Sequence, residues 1–208
     1  MRGRFISLEG GEGVGKSTQA RLLVAALAQH GVDALLTREP GGSEGAEAIR
    51  GLLLSGPAER WTIEAEALLF AAARADHVAR TIRPALAAGR WVVCDRFLDS
   101  SRAYQGTGDA LEDDAIMALH RIGSGGLLPD RTLLLALPLA ESSARAGLRD
   151  GDEPDRIGGR DAAFHHAVGA AFTRFAAADP ARFRQVDASG PAATVSARLL
   201  AALGDLLP

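Results

Sequence analysis

The stretch Gly10-Gly11-Glu12-Gly13-Val14-Gly15-Lys16-Ser17 decides the fold. It has the spacing G-x-x-x-x-G-K-[ST], and its flanks supply the context that such a motif requires. Before it, Arg4 to Glu9 (RFISLE) is a short β-rich run. After it, from Lys16 to Gln29, the residues Ala20, Leu22, Leu23, Ala26 and Leu27 recur at helical spacing. The order is strand, glycine-rich loop, helix. Glycines let successive backbone N–H groups turn inward around phosphate oxygens, and the helix N-terminus adds partial positive charge. Gly10 to Thr18 therefore reads as a cradle for a nucleotide triphosphate, with Lys16 reaching the β- and γ-phosphates and Ser17 giving an oxygen to Mg2+. The chain contains 22 Arg and a single Lys, which is Lys16. A lysine kept in that background marks a site that needs a compact ammonium rather than a planar guanidinium. We expect Lys16 to face solvent and to add little to stability.

Outward from the loop, Ala34 to Thr37, Trp91 to Cys94, Thr132 to Leu137 and Phe183 to Val186 read as four further strands. Between them fall helical stretches at Glu44 to Leu54, Ile63 to Ala88 with a break near Asp76 to Thr81, Glu112 to Ile122, and Glu141 to Leu148. Two more follow at Ala162 to Ala178 and Ala192 to Leu207. Ser100 to Gly106 carries small donors and acceptors, with a helix-capping loop as its alternative reading. Five strands alternating with helices predict an α/β fold, a parallel sheet with helices on both faces. No polar linker divides the 208 residues, so one domain is expected, and Arg149 to Asp161 (RDGDEPDRIGGRD) is a charged, glycine-rich insertion.

Composition narrows the function. Hydrophobic residues make up 47% and charged residues 24%, the balance of a globular protein. A net charge of −3 with a pI near 6.0 gives no global positive field for a nucleic-acid polymer or an anionic membrane. Any anion site must be local. The single cysteine, Cys94, excludes an intrachain disulfide framework and points to a reducing cytoplasm. The N-terminal segment is too short in apolar residues for a signal peptide, and no run approaches the roughly 18 apolar residues of a membrane span.

A phosphate cradle of this type needs a carboxylate at the end of a neighbouring buried strand to help hold Mg2+, and Asp95 follows Trp91 to Cys94. Arg96, next to it, is placed to bridge phosphates. Arg38 ends the second strand in Thr37-Arg38-Glu39-Pro40-Gly41-Gly42. Phe70 and Arg74 are i and i+4 on one helix, so an aromatic face and a guanidinium point the same way. Ser100, Ser101, Tyr104 and Gln105 add donors and acceptors just past Asp95. Glu12 would repel an anion inside the cradle, so its carboxylate must point away from it.

These elements together resemble the thymidylate kinases, the nucleoside monophosphate kinases that phosphorylate dTMP. The likeness runs in order through LEGGEGVGKST (Leu8 to Thr18), TREPGG (Thr37 to Gly42), LLFAAARADH (Leu68 to His77), CDRF (Cys94 to Phe97), SSRAYQG (Ser100 to Gly106), LPD (Leu128 to Asp130) and DRI (Asp155 to Ile157). The resemblance implies a P-loop fold, a homodimer, and transfer of the γ-phosphoryl group of Mg2+-ATP to dTMP. It implies that Arg38 and Arg96 grip the dTMP phosphate, that Phe70 stacks on thymine, and that Arg74 and Ser101 meet its polar edge. Tyr104 would lie against the deoxyribose and Glu12 would accept its 3′-hydroxyl, with Ser100 and Gln105 as further contacts. It also implies a lid at about 145–160 carrying catalytic arginines, Arg149 with Arg145 in support. Arg156 could meet adenine or serve as an ion-pair partner. Phe97 departs from the Tyr or His frequent in the family, and Asp150, Asp152, Glu153 and Asp155 crowd the lid with acids. The rival from another class is a partitioning-type ATPase switch, whose loop carries an additional lysine that this chain lacks.

Overall fold

The runs Phe5–Glu9, Trp91–Asp95 and Arg131–Ala136 are buried almost throughout because both their faces are covered, whereas Ala34–Arg38 and Phe183–Asp187 are exposed in part. The computed structural model describes residues 3–107, 111–138, 141–142, 144–145 and 156–208. In it, β1 (Phe5–Glu9), β2 (Ala34–Arg38), β3 (Trp91–Asp95), β4 (Arg131–Ala136) and β5 (Phe183–Asp187) pair in the order β2-β3-β1-β4-β5. Every pairing is parallel, with Ser7 opposite both Cys94 and Thr132. Alternate residues go to opposite faces. Ile6, Leu8, Val93, Leu133 and Leu135 pack on one side with Leu23, Leu27, Val195 and Leu199. Phe5, Val92 and Cys94 pack on the other with Ile82, Leu86 and Phe97, and Leu134 joins Tyr104, Val168 and Phe172.

The first face is covered by α1 (Lys16–Gln29) and α8 (Ala192–Ala201). The remaining helices are α2 (Glu44–Leu54), α3 (Ile63–His77), α4 (Arg83–Ala87), α5 (Leu98–Gln105), α6 (Asp113–Ser124) and α7 (Ala162–Ala178). Thr62 caps α3 by accepting the Ala65 N–H at 3.3 Å, and Asp161 caps α7 by accepting that of Phe164 at 2.7 Å. The expected break after Asp76 is a π-helical turn, Val78–Ile82, between α3 and α4. None of the described helices is long and apolar enough to cross a membrane.

One alternative falls and one expectation is corrected. Ser100 to Gln105 lies on helix α5 rather than in a capping loop, because Leu98, Ala103 and even Asp99 are buried and the packing outweighs a weakly apolar sequence. The last helix stops at Ala201 and continues as turns, with Leu203 buried. Residues 141, 142, 144 and 145 are helical as expected, whereas Arg149 and the acidic residues 150–155 lie outside the described residues.

All five strands point their carboxyl ends to one edge, where open α/β sheets bind ligands. Gly10 leaves β1 there at φ 139°, and a Cβ on it would sit 2.6 Å from the Leu135 carbonyl oxygen. The loop is thus pressed against β4, and Val14 buries its side chain in the first core.

Candidate active site

The phosphate end of the site is the first turn of α1. Gly15, at φ 91°, sets the helix N-terminus, so Lys16, Ser17 and Thr18 open the helix with their N–H groups facing the loop. Lys16 is 6% exposed, which overturns the expectation of a solvent-facing side chain. The loop closes over the ammonium, whose Nζ donates to the carbonyls of Gly10 at 3.1 Å and Gly11 at 2.6 Å. Burial, followed by the positive charge of Arg96, pushes its pKa down to about 8. Ser17 Oγ donates to Asp95 Oδ2 at 2.5 Å, and Asp95 Oδ1 is buried without a hydrogen-bond partner among the described residues. A hydroxyl oxygen beside a carboxylate with an orphaned buried oxygen suits a hard, oxygen-seeking cation such as Mg2+.

The other end is built around two arginines. Arg96 follows Asp95 at φ 68°, and its guanidinium donates to Glu12 Oε1 at 2.5 Å, to Ser100 Oγ at 3.2 Å and to the Gly10 carbonyl at 3.3 Å. It lies 5.0 Å from the centre of the Tyr104 ring, whose hydroxyl donates to the same Glu12 oxygen at 3.1 Å. Burial opposes the charged guanidinium, but Glu12, Tyr104, Asp95 and Glu9 together outweigh it and hold Arg96 protonated. Glu12 is therefore directed toward donors, as its position in a phosphate cradle requires.

Arg74 is 3% exposed and fixed on every side. Nε donates to Glu39 Oε2 at 2.8 Å, and an Nη donates to Ser101 Oγ at 2.8 Å and to the Phe97 carbonyl at 3.3 Å. Glu39 Oε1 meets His77 Nδ1 at 3.0 Å, and His77 Nε2 meets Thr37 Oγ1 at 2.7 Å. Gly42, at φ 86°, makes room for that pair, since a Cβ would come within 2.4 Å of both side chains. Arg38 is more exposed and pairs with Glu47 at 3.1 Å. Glu47 also accepts the Gly42 N–H at 2.9 Å, which with the charge of Arg38 keeps its carboxyl below the usual range.

Both ends open into one cavity of about 810 Å3. It is lined by Glu12, Gly13, Gly15, Lys16, Ser17 and Thr18 from the loop side, by Asp95 and Arg96 between, and by Arg38, Phe70, Arg74, Ser100, Ser101, Tyr104 and Gln105. Gly10, Gly11 and Val14 are not among the residues that line it. Arg145 also lines the cavity, but its guanidinium pairs with Glu141 and donates to the Ala188 carbonyl at 3.3 Å. Arg149 lies outside the described residues.

A sequence model of the family described as thymidylate kinase matches residues 8–199. The chain belongs to the thymidylate kinase family. It is 64% identical to the thymidylate kinase of Rhizorhabdus wittichii over the full length of both chains. It is 50% identical to that of Bradyrhizobium sp. (strain ORS 278) across 94% of this chain and 87% of the relative. The crystal structure of thymidylate kinase from Ehrlichia chaffeensis superposes with a TM-score of 0.77 at 29% identity, covering 98% of this chain and 99% of that one. The family's reaction transfers a phosphoryl group from ATP to dTMP, which makes this chain an ATP-dependent nucleoside monophosphate kinase.

For a thymidylate kinase, several residues that shape the site were not apparent from the sequence. Arg50, which donates to the Pro40 carbonyl at 2.6 Å, lines the cavity, as do Leu54 and Ile157. Glu9, Glu39 and Glu66 are buried carboxyls behind it. Glu66 had a readable signal, since it stands one helical turn before Phe70. It accepts from Gln105 Nε2 at 2.8 Å, from Arg160 at 2.9 Å and from Arg156. Arg156 also donates to the Leu53 carbonyl at 2.9 Å, so of its two readings the ion-pair partner holds.

Proposed function

We propose that this cavity binds ATP and dTMP end to end, with the glycine-rich loop on the triphosphate and the Phe70–Arg74 face of α3 on the base. One observation carries the reading: a single cavity joins the first turn of α1 and Asp95 to an aromatic ring, an anchored arginine and two serines. Phe70 stacks on thymine, Arg74 and Ser101 meet its polar edge, and Tyr104 and Glu12 flank the deoxyribose, with Ser100 and Gln105 beside them. Arg38 and Arg96 hold the 5′-phosphate. An oxygen of that phosphate attacks the γ-phosphorus in line, the bond to the β–γ bridging oxygen breaks, and ADP leaves. The reaction demands position and charge neutralisation rather than a covalent intermediate. Lys16 supplies the ammonium on one side. Arg149, with Arg145 in support, is assigned to the far side by the resemblance. Ser17 and Asp95 are the residues to hold Mg2+, which when bound neutralises charge on the phosphate oxygens.

The chain is proposed to act as one domain in the cytoplasm, where a buried free thiol such as Cys94 suits the reducing conditions. A homodimer is supported by Ile122 on α6, 85% exposed, with Leu68 and Ile63 on α3 and Leu52 on α2, large apolar side chains on helices that pack together. ADP release measured over a panel of nucleoside monophosphates tests the placement. dTMP should be the best acceptor, and Phe70→Ala should raise the KM for dTMP while the KM for ATP stays. An unchanged KM for dTMP removes the base from the α3 face.

A further inference from the structure

Glu9 is the last residue of β1, and its side chain is fully buried. A carboxyl survives in such a place only where donors meet it. Oε1 accepts the backbone N–H of Phe97 at 2.8 Å, and Oε2 accepts the Ser100 hydroxyl at 2.6 Å. These two donors bracket Arg96 on its C-terminal side. Arg96 is also, among the described residues, the only non-glycine residue with positive φ, at 68°. A side chain-bearing residue in the left-handed region is strained and persists where its surroundings over-determine it. Leu8 fixes one flank, its carbonyl accepting the Arg96 N–H at 3.0 Å. Glu9 fixes the other through Phe97. The second branch reaches the guanidinium, because the Ser100 Oγ held by Glu9 accepts from Arg96 at 3.2 Å.

We propose that Glu9 is the positioning residue for Arg96, holding its left-handed backbone and one contact of its guanidinium so that the cation faces the dTMP phosphate. The proposal rests on the reading of Arg96 as a ligand of that phosphate. Glu9 itself touches no substrate. It works through hydrogen-bond geometry more than charge, since burial and then Asp99 push its pKa up to about 8. The titratable and charged groups around it are Asp99, Arg96, Lys16 and Cys94, with the Phe97 N–H and the Ser100 hydroxyl as its hydrogen-bond donors.

Calorimetric titration of dTMP into the parent, Glu9→Leu, Arg96→Ala and the double variant tests this. Arg96→Ala should weaken dTMP at least about tenfold. Glu9→Leu should weaken it about tenfold in the parent background but less than about threefold when Arg96 is already absent, the signature of two residues acting as a unit. Glu9→Gln should stay within about threefold of the parent, because its amide accepts from Phe97 and donates to Ser100. Titration with ATP, expected to change less than about threefold in each variant, reports that the neighbouring loop is intact. Equal losses in both backgrounds, or parent-like affinity in Glu9→Leu, overturn the proposal while leaving the reading of Arg96 standing. Parent-like affinity in Arg96→Ala overturns that reading and the proposal with it. Should circular dichroism show Glu9→Leu unfolded, Glu9→Ala takes its place in the cycle under the same criteria.

Discussion

In the proposed site Arg74 serves recognition as well as stability, and substitution separates the two. Its side chain and that of Glu39 are each 4% exposed, and they meet at 2.8 Å. Arg74→Ala leaves the Glu39 carboxylate buried against His77 alone, and breaking a buried pair from one side costs about 3–5 kcal/mol. At roughly 2–4 °C per kcal/mol for a chain of this size, the Tm should fall by roughly 6–20 °C. Recognition loses a charge-assisted hydrogen bond to the thymine edge, about 1.5–3 kcal/mol, which raises the KM for dTMP by about 10- to 140-fold. The KM for ATP should stay unchanged. Adding Glu39→Gln removes the uncompensated charge, so the double variant should regain several degrees of Tm while its KM for dTMP remains raised. Thermal unfolding followed by the fluorescence of Trp61 and Trp91, together with coupled ADP release, gives both readouts. A KM for dTMP that recovers along with Tm would show that the loss was one of folding, and the assignment of Arg74 to recognition would be wrong.

Lys16→Ala should cut turnover by orders of magnitude. In the parent, burial and then the charge of Arg96 bring the Lys16 pKa down to about 8. Phosphates favour its charged form, so above that pH binding must take up a proton and the Kd for ATP should rise by up to about tenfold per pH unit. Constant ATP affinity from pH 7 to 9.5 would refute this. His120 is buried, with Nε2 2.8 Å from the Leu127 carbonyl and Nδ1 without a partner among the described residues. Burial, then the charge of Arg74, pushes its pKa down to about 4. Below about pH 6.5 the unfolded chain therefore binds a proton that the native state refuses, and stability falls as pH drops toward 4. Urea unfolding at pH 7 and pH 5 should show the parent losing about 1–2 kcal/mol more than His120→Gln. Equal losses would place the acid sensitivity elsewhere.

The local part of the site was legible in the sequence for local reasons. The loop, Asp95 and Arg96 follow from adjacency to strands, and Phe70 with Arg74 from the spacing of one helical turn. Helix α5 was not legible, since LDSSRAYQ has little apolar content. Distant residues make it: Glu9 holds its N-terminus, and Arg182 meets buried Asp99 across 83 residues at 2.5 Å. The arginines pose the same difficulty on a larger scale. A sequence with 22 of them shows where the cations are and nothing about which carboxylates neutralise them. The fold separates them by the exposure of the partner. Arg74 with Glu39 and Arg156 with Glu66 are buried pairs, and losing either partner would strand a charge in a low dielectric. Such pairs are fixed scaffolding that orients donors. Arg38 with Glu47 is 55% and 43% exposed, a pair worth about 0–1 kcal/mol, and Arg96 with Glu12 is intermediate at 17% and 23%. An incoming phosphate dianion can replace a carboxylate only where the exchange costs little. Arg38 and Arg96, the two arginines assigned to the acceptor phosphate, both have carboxylate partners that remain in reach of water. In the proposed site Arg74, whose partner is not, is left to offer a fixed donor to a neutral base.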